Sequence, residues 1–356
     1  MRVRRALSLA ALVAVGGLTP ASTASASTSA AVHFFPASRV WAVGCPLPQQ
    51  CLVGGRNVRG KPMLVPVQNG LPGAEEAISG RTGNVFALSC PSQAGCVALA
   101  NEYGKSGSSD VYLIRLTATG HVVSSHAVST GRRRQLAALS CTSVTRCWIA
   151  GTYVESNIKA PPLLAAWNGS RLTVKTIPVT GRSATWEPKG ISCVASTCEM
   201  VGVVLGRGTA FAERTQGLQP SPVKTTRQLE LTDVVCTSTS HCVATGNSGT
   251  AESKGFLSTI TEGALGAPDY GSGTSAIELG SLTCRSSSCW ATGVVTDSAA
   301  SGGQDGAIYP ISAGSPTAPV TAPKTYLLPA IATMGSGVIA AGTTLTTNRC
   351  AVVLLS

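Results

Sequence analysis

The sequence predicts an all-β protein, a seven-bladed β-propeller built from four-stranded antiparallel blades. Three observations predict this fold. Small and β-branched residues dominate the 356-residue chain, and no helical periodicity follows the first 26 residues, which favours short strands and turns. Cysteines recur in close pairs at regular intervals along the chain. Glycine recurs at one place within each interval.

The cysteine pairs define the repeat, and their first members are 45, 51, 52, 43 and 48 residues apart. The pairs are Cys45 with Cys51, Cys90 with Cys96, Cys141 with Cys147, Cys193 with Cys198, Cys236 with Cys242, and Cys284 with Cys289. A further step of similar length reaches Thr333 in "PAIATMGSGVIAAG", which keeps the apolar runs but has no cysteine. Self-similarity at this period is typical of propeller blades. The sequence therefore contains seven units.

The sequence predicts four strands in each of the first six units, and we name these strands A to D. Strand A ends at the first cysteine, as in "LAALSC", and strand B begins at the second, as in "CWIAG". Strand C is a third apolar run, such as "VYLIRL". A turn with glycine, which readily adopts a positive φ, then leads to strand D. The turn glycines are Gly70, Gly120, Gly169, Gly217, Gly263 and Gly314.

The pattern within strand A places it innermost. Two residues before each first cysteine, or before Thr333, the residue is always apolar. Three residues before, it is small in six units, with Asp233 as the exception. Because the innermost strands of a propeller converge on the central axis, small side chains are expected there.

The seventh unit has no strand D, whereas a spare strand, "AVHFFP" at Ala31–Pro36, precedes the first strand A. We therefore expect residues near 31–36 to complete the last blade and close the ring. Residues 27–356 would then form a single propeller domain.

The close pairs predict six disulfides, each linking the two ends of an A–B turn. The alternative is metal binding, but four thiolates would have to meet at one site, which separate blades do not allow. No metal site is therefore predicted, and Asp297 and Asp305 belong to a glycine-rich loop rather than to a calcium site. Cys350 is left over and is expected to be a buried apolar residue, with an intermolecular bridge as the alternative.

Residues 1–26 resemble a secretory signal peptide, with a basic start, an apolar stretch and small residues near Ala26. The residues around Arg4 and Arg5 favour the general export route over the twin-arginine route, although they do not decide between them. No later stretch is expected to span a membrane. The prediction is a secreted, extracellular protein, which agrees with its disulfide framework.

The formal charge of the chain is +11, and removal of the three arginines of the signal would lower it. The basic residues are scattered and lack an aromatic platform, which argues against nucleic-acid binding. We expect a monomer whose partner is a protein or a carbohydrate.

Two segments carry a resemblance to a known group of proteins. These are "GISCVASTCEMVG" and "LLAAWNGSRLTVKTIPV", the second with Trp167, Asn168 and Gly169. They resemble secreted actinobacterial β-propeller repeat proteins, which carry a Ser-Cys…Cys-Val-Ala-Val-Gly motif and a Trp-Asn-Gly motif in successive blades. The cysteine motif covers six of the seven units here, whereas Trp-Asn-Gly occurs once. The resemblance implies the fold and export, and it implies no catalytic residues.

The sequence favours a non-catalytic binding module over an enzyme. The alternative is a secreted carbohydrate-active hydrolase or lyase, but no C–D turn carries the Asp-box of sialidase-like propellers. The four histidines have no ligand spacing, and there is no nucleophile elbow. No catalytic residue and no cofactor are predicted.

The candidate ligand site lies where the D–A loops enter the strands. Alignment on the cysteines places basic residues nine positions upstream and polar residues six positions upstream, which would circle one mouth of the central channel. The candidate ligand-binding residues are Arg81, Arg132, Arg133, Arg134, Glu187, Arg227, Glu230 and Glu278. A polar or anionic ligand such as a sugar polymer would suit them, with the three consecutive arginines as anchor.

Overall fold

The computed structural model describes residues 30–103, 109–128, 134–154, 160–179, 184–205, 209–220, 224–227, 229–248, 254–271, 276–297, 303–312, 314–344 and 349–356. Its strands form seven antiparallel sheets, and no helix occurs within these ranges. The chain is thus an all-β, seven-bladed β-propeller, as predicted.

The chain begins with β1 (Ala31–Pro36) and then builds blades in order, each from the axis outwards. Blade 1 contains β2 (Arg39–Leu47), β3 (Gln50–Arg56), β4 (Pro62–Gln68), β5 (Leu71–Pro72) and β6 (Glu76–Ala77). Blade 2 contains β7 (Gly83–Ser92), β8 (Gly95–Tyr103), β9 (Ser109–Leu116) and β10 (Val122–Val128). Blade 3 contains β11 (Arg134–Ser143), β12 (Arg146–Tyr153), β13 (Pro162–Trp167) and β14 (Leu172–Thr176).

The next three blades repeat this order, with strand D often split into two short pieces. Blade 4 contains β15 (Thr185–Val194), β16 (Thr197–Leu205), β17 (Thr209–Gln216), β18 (Gln219–Pro220) and β19 (Lys224–Arg227). Blade 5 contains β20 (Leu229–Cys236), β21 (His241–Ser248), β22 (Gly255–Thr261) and β23 (Ala264–Leu265). Blade 6 contains β24 (Ala276–Arg285), β25 (Ser288–Asp297), β26 (Gly303–Ser312), β27 (Ser315–Pro316) and β28 (Val320–Ala322).

Blade 7 closes the ring with both ends of the described chain. It contains β29 (Leu327–Met334), β30 (Gly337–Thr343) and β31 (Arg349–Leu355), and β1 is its outermost strand. β1 pairs antiparallel with β31 over six residues, from Ala31 opposite Leu354 to Pro36 opposite Arg349. The predicted closure by the N-terminal strand is confirmed.

The core is divided among the interfaces between blades. Seven clusters of buried apolar residues occur, and each draws its members from two adjacent blades. For example, Phe35 of blade 7 packs in one cluster with Val40 and Val53 of blade 1. Because each blade buries its faces only against its neighbours, the ring is stable as a whole rather than blade by blade.

The six predicted disulfides are all present, each within one blade, and the Cα atoms of each pair are between 3.9 and 4.1 Å apart. They join Cys45 to Cys51, Cys90 to Cys96, Cys141 to Cys147, Cys193 to Cys198, Cys236 to Cys242, and Cys284 to Cys289. In every pair the second cysteine, which begins strand B, is buried. The predicted pairing of nearest neighbours is confirmed for all six.

Two further predictions about single residues are also confirmed. Cys350 is free and fully buried at the interface between blades 7 and 1. Burial raises the pKa of its thiol to about 12, so it packs as a small apolar residue. All six predicted turn glycines have a positive φ, between 60° and 94°.

The serine before the first cysteine links consecutive blades. In blades 2, 3 and 4 its Oγ accepts a hydrogen bond from the backbone N–H of the first cysteine of the following blade, at 2.9 to 3.0 Å. The residues are Ser89, Ser140 and Ser192. At the same place in blade 1, a Cβ on Gly44 would lie 2.6 Å from Cys90 Sγ. The Ser-Cys motif therefore joins blades as well as marking the disulfide.

Every strand A carries a β-bulge where it faces the axis. In β2, for example, Val40 is opposite Gly55 and Ala42 is opposite Gly54, which leaves Trp41 as the extra residue. Corresponding shifts occur in the other six A strands. A bulge turns the side chains that follow it. The seven residues four positions before the first cysteine, or before Thr333, all line the central cavity: Trp41, Phe86, Ala137, Lys189, Thr232, Gly280 and Pro329.

Candidate functional site

The central cavity is the candidate site. It has a volume of about 870 Å³ and is lined by residues from the A strands of all seven blades. The starts of strands A and C and the ends of strand B lie around one of its mouths, and we name this side of the disc the loop face. The disulfide-linked A–B turns and the C–D turns surround the other. Ligand sites of this size commonly combine apolar walls with a few polar groups.

One side of the cavity is aromatic. Trp41 of blade 1 and Phe86 of the adjacent blade 2 line it, and both are half-buried. The other tryptophans of the chain point away from it: Trp148, Trp167 and Trp186 are buried between blades, and Trp290 packs between blades 6 and 7. Trp41 is thus the tryptophan available to a ligand in the cavity.

The facing side is polar. Lys189, Glu230, Thr232 and Asp233 line it from blades 4 and 5, and Ser281 lines it from blade 6. Lys189 Nζ donates a hydrogen bond to Glu187 Oε2 at 2.7 Å. The cavity therefore presents an aromatic wall opposite a wall that carries both charges and hydroxyl groups.

Asp233, the exception among the small residues of strand A, is held in the cavity wall by three hydrogen bonds. Its Oδ1 accepts from the Val234 N–H at 2.8 Å, and its Oδ2 accepts from Ser281 Oγ at 2.9 Å and from the Leu282 N–H at 2.8 Å. The larger side chain fits because Gly190 of blade 4 has no Cβ, which would lie 2.8 Å from Asp233 Oδ1. Burial raises the pKa of Asp233 to about 6, although the hydrogen bonds oppose the shift.

Four of the candidate ligand-binding residues have described side chains. Glu230 lines the cavity, and Glu187 reaches it through Lys189. Arg81 lies just before β7, where it forms a 3.7 Å ion pair with Glu102. Glu278 is exposed at the start of β24, and neither Arg81 nor Glu278 is among the described residues that line the cavity.

The remaining candidates are the arginines of two D–A segments. Arg132 and Arg133 lie outside the described residues. Arg134 is the first residue of β11, and its backbone pairs with Tyr153. Arg227 is the last residue of β19, where it pairs with Thr209, so its backbone belongs to an outer strand of blade 4. The predicted equivalence of Arg132 and Arg227 is not tested, because Arg132 is outside the described residues.

Sequence reasoning missed the most distinctive part of the loop-face mouth. The guanidinium groups of Arg39 and Arg56 both lie against the indole ring of Trp41, with Cζ at 5.7 and 5.9 Å from the ring centroid. The alignment on the cysteines predicts a polar residue at Arg39, six positions before Cys45, but it does not indicate Trp41 or Arg56 as ligand-binding residues. The available signal was the position of Trp41, the largest residue at the bulge among the seven units.

Two further carboxyl groups lie on adjacent strands of blade 4, away from the cavity. Glu213 on β17 is fully buried, and Glu199 on β16 is nearly so. Burial first, and the nearby Glu199 second, raise the pKa of Glu213 to about 8. The register partner of Glu213 is Met200 rather than Glu199, and side chains alternate along a strand, so the two carboxyl groups belong to opposite faces of the blade 4 sheet.

No group of three or more histidine, cysteine, aspartate or glutamate residues in the described ranges could hold a metal ion. Among the same residues there is also no helix long and apolar enough to cross a membrane.

Comparison with known proteins shows the architecture. The β-propeller domain of Cps50 (Swd1) from Myceliophteria thermophila superposes with a TM-score of 0.58 at 11% identity, over 91% of this chain and 98% of that one. The WD40 β-propeller domain of Doa1 gives 0.55 at 12% identity, over 92% and 96%. YCF48 bound to D1 peptide gives 0.55 at 8% identity, over 91% and 97%. These likenesses show the fold alone. No family model and no curated protein matches the sequence.

Proposed function

We propose that this protein is a secreted, non-catalytic binding propeller that takes a polar or anionic ligand, such as a cell-wall or extracellular glycan, into the loop-face mouth of its central cavity. The observation that carries the proposal is the two-sided wall of the cavity, with Trp41 and Phe86 on one side and Lys189, Glu230 and Asp233 on the other. A sugar ring has an apolar face of C–H groups and an edge of hydroxyl groups. It can therefore satisfy both walls at once.

The six disulfides support an exported protein, because such frameworks persist in oxidising compartments. The proposed signal peptide, residues 1–26, lies outside the described residues. The motifs shared with secreted actinobacterial repeat proteins support the same localisation. Membership of that group is part of the proposal.

A binding role is favoured over a hydrolase or lyase by the carboxyl groups of the cavity. Among the described residues that line it, only Glu230 and Asp233 carry one. Asp233 accepts hydrogen bonds at both oxygens from the backbone and side chains of blades 5 and 6. Because the carboxyl group of Asp233 joins blades 5 and 6, its role is structural. Glu230 is then left without a second carboxyl group for acid–base catalysis.

A protein ligand is the second class to include in the test, because a structure of the same fold is named as YCF48 bound to D1 peptide. The identity of 8% transfers no residue from that protein. A peptide that carries acidic and aromatic side chains would meet the same two walls.

The test is a binding screen with the oxidised protein, using immobilised neutral and acidic glycans, cell-wall polymers and peptides. Trp41→Ala should weaken the best ligand by about tenfold or more, since it removes the aromatic wall that a ligand would contact. Phe34→Ala is the matched control, because Phe34 is an exposed aromatic residue on β1 at the outside of the ring. Equal weakening by both variants, or unchanged binding in Trp41→Ala, would contradict a site in the cavity.

A further inference from the structure

Arg39 and Arg56 form a like-charged pair across two strands at the loop-face mouth. Arg39 is the first residue of β2, Arg56 is the last residue of β3, and the two are direct partners in the strand register. Directly opposed residues of an antiparallel pair have neighbouring Cβ atoms, so like charges at these positions repel each other. Both guanidinium groups lie against Trp41.

No carboxylate of the described chain neutralises this pair. The ion pairs of the described residues involve Arg81, His121 and Lys189, and none involves Arg39 or Arg56. Arg56 Nε is enclosed and has no hydrogen-bond acceptor among the described residues. The aromatic contacts stabilise each cation, but the face of an indole ring accepts none of the in-plane N–H bonds of a guanidinium group.

Among the described residues neither guanidinium group has a hydrogen-bond acceptor, and both groups lie against Trp41, which lines the cavity that the arginines themselves do not line. A planar guanidinium group donates paired hydrogen bonds to a carboxylate or a phosphate, and such charge-assisted bonds are stronger than neutral ones. An anion bound by both arginines would also remove their mutual repulsion. Arg81, by contrast, already forms an ion pair with Glu102, so its charge is partly neutralised.

We infer that Arg39 and Arg56 form an anion subsite that binds a carboxylate or phosphate group of an acidic saccharide, whose sugar ring lies against Trp41 and extends into the cavity. This inference rests on the proposed function, because it takes the loop-face mouth as the binding site, and it narrows the ligand to an acidic one. It places the anchoring charge in blade 1 rather than in the arginine run of blade 3.

Three probes test the subsite with the full mature chain, its disulfides formed. Oligogalacturonate carries carboxylates, an oligomannose that bears mannose 6-phosphate carries phosphates, and chitohexaose is neutral. We expect one or both acidic probes to bind, and Arg39→Gln or Arg56→Gln to weaken that binding by about tenfold or more, which corresponds to the loss of one charge-assisted hydrogen bond. Comparison of the two acidic probes distinguishes a carboxylate from a phosphate.

Arg171→Gln is the control variant, because Arg171 is an exposed arginine in the C–D turn of blade 3, at the opposite face of the disc. It should bind the acidic probes like the unchanged protein. Removal of one positive charge should also make binding less dependent on salt. The affinities of the Arg39 and Arg56 variants for the acidic probes should therefore vary less between low and physiological salt than the affinity of the unchanged protein.

A melting experiment without saccharide tests the subsite separately from the effect of the substitutions on folding. Because the paired cations repel each other, Arg56→Gln should melt at the same temperature as the unchanged protein or higher at low ionic strength. Sodium sulfate should raise the melting temperature of the unchanged protein above its value in sodium chloride of equal ionic strength, and this rise should be smaller in Arg56→Gln, which keeps only the general stabilisation by sulfate.

The outcomes separate the two proposals. Equal binding of an acidic probe by the unchanged protein and by both variants overturns the subsite, and so does an equal sulfate effect in all of them. Binding of chitohexaose alone, weakened by Trp41→Ala but not by the arginine variants, overturns the subsite and leaves the proposed function standing. The absence of binding to every probe and to the wider screen overturns both.

Discussion

At the scale of single residues, Glu213 couples stability to pH. Its side chain is fully buried on β17, between blades 3 and 4, and neither carboxyl oxygen has a hydrogen-bond partner among the described residues. Burial raises its pKa from an ordinary value of 4.5 to about 8. The folded protein therefore keeps a proton on Glu213 at pH values where the unfolded chain has lost it.

The sign of the resulting pH dependence follows from this difference in bound protons. The contribution of Glu213 is most favourable below about pH 4.5 and is lost as the pH rises through 8. Over that interval the free energy of unfolding should fall by up to about 1.4 kcal/mol per pH unit. Glu213→Gln, which is neutral at every pH, should remove this slope and be the more stable protein at pH 8.

Urea unfolding at pH 5, 6.5 and 8 measures this effect. The matched control is Glu262→Gln, since Glu262 is exposed in the C–D turn of blade 5 and should leave the slope as it is. If the stability difference between Glu213→Gln and the unchanged protein stays constant from pH 5 to pH 8, Glu213 is not protonated in the folded state.

At the scale of strands, the ring is joined near its axis by side-chain contacts between consecutive A strands. Serine hydroxyls make these contacts from blade 2 to blade 5, and Asp233 makes the one from blade 5 to blade 6. In blades 2, 3 and 4 the cysteine that forms the disulfide and the serine that bonds to the next blade are thus adjacent in the sequence. This arrangement explains why serine precedes cysteine in several units.

Ser140→Ala tests the contribution of one such contact. The Oγ of Ser140 accepts from the Cys193 N–H at 3.0 Å, and the alanine variant leaves that half-buried N–H without its acceptor. We expect a loss of about 1 kcal/mol in the free energy of unfolding. Ser125→Ala is the control, because Ser125 is exposed on β10 at the outside of blade 2. Equal stability of the two variants in urea unfolding would refute the contact between blades.

At the scale of the whole molecule, closure of the ring depends on β1. The strand covers the edge of β31, and its Phe35 is buried in the cluster between blades 7 and 1. An uncovered edge strand pairs readily with other chains. The two terminal segments of the described chain therefore determine both the stability and the solubility of the propeller.

A variant that lacks residues 27–37 should melt at a lower temperature and self-associate, as measured by thermal unfolding and by light scattering of the eluted protein. A milder pair of variants tests the same closure without deletion. Phe35→Ala should cost about 3 kcal/mol, because it empties a buried site, whereas Phe34→Ala, at an exposed position of the same strand, should cost much less. Closure by β1 would be refuted by a shortened chain that melts like the mature protein and stays monomeric.

Local patterns in the sequence were sufficient to predict the architecture. Strand type follows from alternation over a few residues, and turns follow from glycine. Disulfide pairing follows from cysteines five or six positions apart, such as Cys193 with Cys198 and Cys141 with Cys147. The closing strand followed from counting strands in the last unit. Most of these signals are contained within one unit, and the closing strand needs only a comparison of the two ends of the chain, so a single sequence is enough to recognise them.

The candidate site was predicted less completely, because its residues are brought together by strand register in blade 1 and by the close approach of neighbouring blades. The sequence determined that a seven-bladed ring exists, and it predicted a polar rim whose member Glu230 lines the cavity. Only the tertiary structure decided that a β-bulge turns Trp41 into the cavity, that strand pairing opposes Arg39 to Arg56, and that Gly190 makes room for Asp233. The physical reason is that these relations depend on the exact strand register and on the close approach of neighbouring blades, neither of which the alternation of apolar residues along a strand specifies.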